Sequence, residues 1–162
     1  MIRLVTTACI EAPPEVVWAH LSKLDALHLW TDAVHHSYLS GSCSSGVGAE
    51  RVCDLGHRRE MHERVTAWTE GQSFTYESAD APMMKRARNT WSIQPDGRGT
   101  RVVSEAEVEL RGGIFGRLLE LLFRPLLGLF LPNPLAKFKY WVETGRPFQG
   151  KASRLPVPVA VC

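Results

Sequence analysis

The amino-acid sequence predicts an α+β domain, with one strand, two short helices, a meander of six antiparallel strands and a long C-terminal helix. Three observations lead to this class. Residues 13–15 carry the proline signal of a helix start and follow an apolar strand. Apolar and charged residues alternate through 100–110. Apolar residues recur at helical spacing over 135–142. The chain has 162 residues, of which 44% are hydrophobic and 22% charged, as is typical of one folded domain.

Each element has its own local signal. Residues 2–11 have strand character, and Pro13-Pro14-Glu15 then places proline and an acid in the first turn of a helix with Val17, Trp18 and Leu21 on its apolar side. Apolar spacing predicts a second short helix from Leu24 to about Trp30. The remaining strands, separated by turns rich in Gly, Pro and Asp, are predicted at residues 34–39, 47–55, 59–68, 73–77, 85–94 and 100–110.

The last predicted strand shows the clearest alternation. From 102 to 110 its even-numbered residues are apolar or small, and its odd-numbered residues are charged apart from Val103. Alternate residues of a strand share a face, so the pattern predicts an antiparallel sheet with one dry and one solvated face. Ser104 and Ala106 lie at the middle of the dry face, and their small size leaves room for another molecule there.

Arg51 and Glu63 are each the single charge on an otherwise apolar strand face. Val47, Ala49, Cys53 and Leu55 would share a face with Arg51, and Met61, Val65 and Ala67 with Glu63. If residues 56–58 form a three-residue hairpin loop, the register places Arg51 directly opposite Glu63. A buried charge needs a partner or a ligand. Two interpretations are open, a structural ion pair inside the fold or a polar anchor at the floor of a ligand cavity.

The C-terminal region predicts a long helix in two pieces that covers the dry face. Residues 114–131 are mostly Leu, Phe and Ile, but Arg117, Glu120, Arg124 and Pro125 interrupt them, which disfavours a membrane span of about 20 apolar residues. This segment is interpreted as a cavity lid with part of a homodimer interface, or as a surface for transient membrane contact. Residues 135–142 form the second piece, and residues 147–162 an irregular tail.

Other classes of function have little support in the composition. The net charge of +2 is too small to indicate nucleic-acid binding. The six histidines show no metal-ligand spacing, so neither a metal nor another cofactor is predicted. The four cysteines lack a C-x-x-C pattern and the N-terminus does not resemble a signal peptide, which together predict reduced thiols in a cytoplasmic protein.

The order of several short motifs resembles that of the START/SRPBCC superfamily. In style the chain is most similar to the small polyketide cyclase/dehydrase and lipid-transport-like proteins. The resemblance covers roughly residues 2–146 as one domain. It departs from the superfamily in the long apolar segment 118–134 and in the tail. The matching pieces are Ala12-Pro13-Pro14-Glu15-Val16-Val17-Trp18, Trp30, Gly46-Val47-Gly48-Ala49, Glu63-Arg64-Val65, Trp68, Gly71, Phe74, Tyr76, Trp91-Ser92-Ile93, Pro95, Gly97, Gly99-Thr100, Val102, Leu135-Ala136-Lys137-Phe138-Lys139 and Glu143-Thr144-Gly145.

The resemblance implies a helix-grip fold, in which a seven-stranded antiparallel sheet wraps around the C-terminal helix and leaves a cavity between them. Members bind lipids, sterols, polyketides, quinones or plant hormones there. For Tyr76 and Trp91, plain core packing is the alternative to ligand contact. The residues expected to contact a ligand are Arg51, Glu63, Tyr76, Asn89, Trp91, Ser104, Phe123, Leu127 and Phe138, with Val65, Val102 and Ala106 as further apolar walls.

Three function classes follow, because the fold alone does not determine function. The favoured one is a carrier or sensor of a small hydrophobic molecule with one polar end. The second is a cyclase or dehydratase acting on a polyketide-like substrate, in which Glu63 would be the general acid or base and Arg51 would stabilise an oxyanion. The third is a structural or interaction module whose cavity is filled by its own side chains.

Overall fold

The computed structural model describes residues 1–79, 84–97, 99–111, 132–150 and 154–155. The elements in the described ranges are β1 (Ile2–Ile10), α1 (Pro14–Leu21), a 3-10 helix (Leu24–Leu29), β2 (His36–Leu39), β3 (Glu50–Asp54), β4 (Glu60–Thr69), β5 (Ser73–Ala79), β6 (Met84–Asp96), β7 (Gly99–Leu110) and α2 (Pro132–Thr144).

Seven strands of the described part of the chain form one antiparallel sheet in the order β1-β7-β6-β5-β4-β3-β2. Strands β2 to β7 form a meander, and the last of them, β7, pairs with the first strand, β1. The close approach of β1 requires a glycine at the start of β7, since a Cβ on Gly99 would lie 2.2 Å from the Ile10 carbonyl oxygen. The predicted α+β class and helix-grip architecture are confirmed.

The two faces of the sheet differ in chemistry. We call the face that carries Arg51 and Glu63 the inner face and the opposite one the outer face. On the outer face, one cross-strand row alternates in charge through six strands, and directly opposite pairs of unlike charge each stabilise a sheet by about 0.2–1 kcal/mol. The outer face is therefore the solvated one, and the members of this row are Glu50, Arg64, Glu77, Arg88, Glu107 and Arg3.

Helix α2 is fixed against the rest of the domain by one buried ring and two lysines. Phe138 is fully buried and meets the ring of Trp30 with 5.2 Å between centroids. The Lys139 ammonium donates to the carbonyl oxygen of Cys9 on β1 at 2.6 Å, and Lys137 pairs with Asp32. The apolar stripe predicted over 135–142 is confirmed as the face that enters the core.

Strand β3 is shorter than predicted. It begins at Glu50 rather than at residue 47, because Gly46 and Gly48 have positive φ angles of 85° and 89° that turn the chain just before it. Val47, which was predicted on the apolar face, is 64% exposed, and that prediction is wrong. At the other end, the Leu55 amide donates to the Arg59 carbonyl at 2.9 Å, so the predicted hairpin register is confirmed.

Two further sequence predictions have different outcomes. Cys43 and Cys53 are free thiols, but Cys9 is disulfide-bonded, so the prediction of reduced thiols is wrong for Cys9. Sequence spacing alone does not show which cysteines the fold brings together. The apolar segment 114–131 lies outside the described residues. Within the described part of the chain, no helix is long and apolar enough to cross a bilayer. Residues 147–150 are irregular, and Phe148 packs against Tyr140 of α2.

Candidate functional site

The charged pair lies on the inner face at the centre of the candidate site. Arg51 on β3 and Glu63 on β4 are directly opposite each other, and their side chains are 5% and 3% exposed. Arg51 Nε donates to Glu63 Oε2, and Arg51 Nη1 donates to the Leu24 carbonyl at 3.2 Å. The Ser78 hydroxyl donates to the other carboxylate oxygen at 3.0 Å. The predicted burial and pairing are confirmed, and both oxygens of Glu63 are engaged by protein donors.

Burial and the Glu63 carboxylate also control the proton equilibria around the pair. Burial acts to lower the pKa of Arg51, whereas the charge and the hydrogen bond of Glu63 act to raise it, and the net change is upward. Burial, and then Glu63, raises the pKa of the Cys53 thiol to about 12 and that of the Tyr76 phenol to about 12. Both groups are therefore neutral near pH 7, and the phenol can act as a hydrogen-bond donor.

Tyr76 connects the charged pair to a second polar chain. The Arg51 guanidinium lies over the Tyr76 ring, 4.7 Å from its centroid, in a cation–π contact. Asn89 Nδ2 donates to the Tyr76 hydroxyl at 3.3 Å, and the Ser104 hydroxyl donates to Asn89 Oδ1 at 3.1 Å. The two chains extend over β3 to β7 of the inner face. Polar groups linked in this way hold one another in a single geometry.

Aromatic rings close one side of the site. Trp91 is 5% exposed and contacts Trp30 edge to face, with 5.4 Å between ring centroids, and Trp30 contacts Phe138 in the same manner. Core packing, the alternative considered for Trp91, accounts for these contacts. Ligand contact by Trp91 or Phe138 stays a prediction.

The space beside the charged pair is tighter than expected. The gaps between its side chains have no room for a water molecule, whereas ligand sites span roughly 300–1,000 Å³. A ligand cavity with the pair at its floor was one of the two interpretations that the sequence left open. The stacked side chains of Arg51 and Tyr76 fill the space instead, and Leu24 from the 3-10 helix closes it. The residues lining these gaps are Leu24, Ala49, Arg51, Glu63, Val65 and Tyr76.

The structure thus brings together most of the residues predicted for the site. Arg51, Glu63, Tyr76, Asn89 and Ser104 form the polar network, while Phe123 and Leu127 lie outside the described residues. Leu24 and Ser78 also contribute to the site and were not among the predicted site residues. Ser78 was missed because β5 was predicted to end at residue 77, whereas it continues to Ala79. In the described ranges, no group of three His, Cys, Asp or Glu side chains could hold a metal ion.

Fold and site together define a helix-grip protein with a buried polar network between its sheet and its C-terminal helix. The chain belongs to the polyketide cyclase / dehydrase and lipid transport family, whose model matches residues 1–140. The resemblance to the START/SRPBCC superfamily is thereby confirmed. Comparison with curated proteins gives no match.

Solved structures of the same fold include three with near-complete coverage of this chain. TTHA0849 from Thermus thermophilus is 23% identical, with a TM-score of 0.70, and the match covers 88% of this chain and 98% of that one. A START superfamily protein from Mycobacterium smegmatis is 17% identical, with a TM-score of 0.69 and coverages of 88% and 97%. The di-domain ARO/CYC StfQ from the steffimycin biosynthetic pathway is 10% identical, with a TM-score of 0.71 and coverages of 89% and 51%. At these identities the likeness shows the fold alone.

Proposed function

We propose that the protein binds a small hydrophobic molecule, such as a lipid, a polyketide or a quinone, between the sheet and the C-terminal helix, and that it carries or senses this molecule. The observation that supports this proposal is the polar network of Arg51, Glu63, Tyr76, Asn89 and Ser104 on an otherwise apolar inner face. A pocket of apolar walls with a few placed polar groups is the usual form of a small-molecule site.

The part of the inner face next to Tyr76 is better suited to a ligand than the tight space under Arg51. Small side chains form its floor and are half-buried rather than buried, which leaves surface for an apolar molecule to cover. In this proposal the ligand lies over the small residues and its polar end reaches the network. The residues of this floor are Ser78, Ala87, Ala106 and Val108.

A cyclase or dehydratase is the second candidate, and one observation favours it. Such reactions need a proton donor near the substrate, and the neutral Tyr76 phenol, half-buried beside Arg51, is a group of this kind. Glu63 is less suited to the role of general acid or base predicted for it, because Arg51 and Ser78 already engage its two oxygens. If the protein is an enzyme of this kind, Glu63 would hold Arg51 in position and would not act as the acid or base.

Native mass spectrometry of the protein purified from its host tests the binding function. We expect a non-covalent adduct of a few hundred daltons that is lost when Ala106 is replaced by Phe, because the larger ring fills the floor of the site. Val103→Phe is the matched control, since Val103 lies on the same strand but on the outer face. If no adduct appears and added apolar compounds also fail to bind, the third class, a structural or interaction module, is the correct one.

We also propose that the apolar segment 114–131 contacts a membrane surface transiently, with Arg117 and Arg124 meeting anionic lipid. The two arginines are seven positions apart, so they would share one face of a helix. We expect co-sedimentation with anionic liposomes that weakens with salt and falls when Leu126 and Phe130 are replaced by Ser. A protein that ignores liposomes but forms a stable dimer dependent on the same two residues would show the segment to be a homodimer interface.

A further inference from the structure

We propose that the site selects ligands whose polar end is a neutral hydrogen-bond acceptor, such as a ketone or quinone oxygen, and that Tyr76 donates the hydrogen bond. This inference rests on the proposed binding function and specifies the ligand class. Such a site would bind a neutral carbonyl compound in preference to an anionic lipid such as a fatty acid. The charge balance of the site and the direction of its hydrogen bonds both support it.

The charges at the site already cancel. Arg51 and Glu63 are the two charged side chains within the described network, and they pair with each other while both are almost fully buried. The other polar members, Tyr76, Asn89 and Ser104, are neutral, as is the Cys53 thiol beside Glu63. A carboxylate ligand would bring an additional negative charge close to Glu63 and away from water, which is costly without a free cation. A neutral ligand avoids this cost.

The hydrogen bonds of the second chain all run in one direction. The Ser104 hydroxyl donates to Asn89 Oδ1, and Asn89 Nδ2 donates to the Tyr76 oxygen. The phenol oxygen thus serves as an acceptor, and among the described residues its own proton has no acceptor. A half-buried hydroxyl with an unused proton is suited to a ligand oxygen that accepts a hydrogen bond.

The chain also assigns different roles to its three members. Tyr76 is the group that would touch the ligand, and Asn89 and Ser104 are positioning residues that act through it. Asn89 occupies the phenol oxygen, so the proton points away from Asn89. Arg51 lies over the ring and restricts its movement. The donor is therefore held in place before the ligand arrives, which reduces the ordering cost of binding.

Three naphthalene compounds test the inference: 2-acetylnaphthalene with a ketone, naphthalene without a polar group, and 2-naphthoate with a carboxylate. Dissociation constants from NMR titrations at pH 7 should rank them in that order of decreasing affinity. We expect the ketone to bind about tenfold more tightly than naphthalene, which corresponds to one hydrogen bond. Tyr76→Phe should remove this tenfold advantage, so that the variant binds the ketone and naphthalene with similar affinity. Tyr38→Phe is the matched control, because Tyr38 is an exposed outer-face tyrosine.

Asn89→Asp provides a second test that preserves the shape of the site. An aspartate accepts from both Ser104 and Tyr76, so the phenol proton would be taken up by the protein and the ketone advantage should be lost. If 2-naphthoate binds as tightly as the ketone, or if Tyr76→Phe leaves the ratio unchanged, the inference is wrong while the binding function stands. If none of the three compounds binds, the inference is wrong, and the adduct seen or not seen by native mass spectrometry decides the binding function.

Discussion

Replacing Arg51 by alanine should lower the free energy of unfolding by about 3–5 kcal/mol, as expected when one partner of a buried ion pair is removed. The substitution leaves the Glu63 carboxylate buried, and the partners that remain to it among the described residues are the Ser78 hydroxyl and the Cys53 thiol. It also removes the cation that lies over the Tyr76 ring. Equilibrium denaturation in urea measures the change.

Two control variants separate this effect from the loss of any arginine. Arg3→Ala removes an ion pair with Glu105 whose side chains are 61% and 39% exposed, so water screens the pair and its loss should cost far less than Arg51→Ala. The double variant Arg51→Met with Glu63→Met should be much more stable than Arg51→Ala, because apolar residues of similar volume often replace a buried pair without loss. A cost for Arg51→Ala no larger than that for Arg3→Ala would show that the pair is not buried in solution.

Replacing Phe138 by alanine should also lower the free energy of unfolding by about 3–5 kcal/mol, the usual cost of removing a buried aromatic ring. Phe138 is 0% exposed and packs edge to face on Trp30 and Trp141. Its removal would leave a cavity at the junction of helix α2 and the sheet, and would remove the support of the Trp30 and Trp91 rings. Thermal and urea denaturation measure the effect.

A second aromatic residue on the same helix is the control for this substitution. Tyr140 is half-buried and contacts Phe148 in the segment that follows the helix. Tyr140→Ala changes helix propensity in the same direction but removes little core volume, so it should cost clearly less than Phe138→Ala. Equal costs for the two variants would contradict the packing of α2 through Phe138.

The strand pairing at the site could be predicted because the sequence pattern there is selective. One charge on each apolar face, together with a three-residue loop, leaves one register that buries both faces, and the structure has Arg51 opposite Glu63. Alternation in β7 predicted the solvated outer face for the same reason. A pattern with a period of two indicates which face of the sheet a residue occupies. These predictions depended on the face alone.

The volume of the site could not be predicted from the same patterns. Face assignments do not show that Arg51 stacks on Tyr76 or that Leu24 closes the space above Ala49, because these contacts depend on side-chain conformations and on a distant helix. The start of β3 was misplaced because the conformations of Gly46 and Gly48 break a pattern that continues in sequence. The direction of the Ser104–Asn89–Tyr76 chain likewise requires the three-dimensional geometry.

Side-chain NMR of the tryptophan indoles and the Asn89 amide, recorded while 2-acetylnaphthalene is added, tests most directly whether ligands bind on the inner face. Trp91 lies on that face beside Asn89 and Ser104, whereas the Trp18 and Trp68 indoles are held by hydrogen bonds of 2.7 Å to Glu70 at the β4–β5 turn. We predict saturable shifts for Trp91 and Asn89 with little change at Trp18 and Trp68. Shifts confined to Trp18 and Trp68, or no saturable shift at any of these groups, would contradict a ligand site at the Tyr76–Asn89–Ser104 end of the inner face.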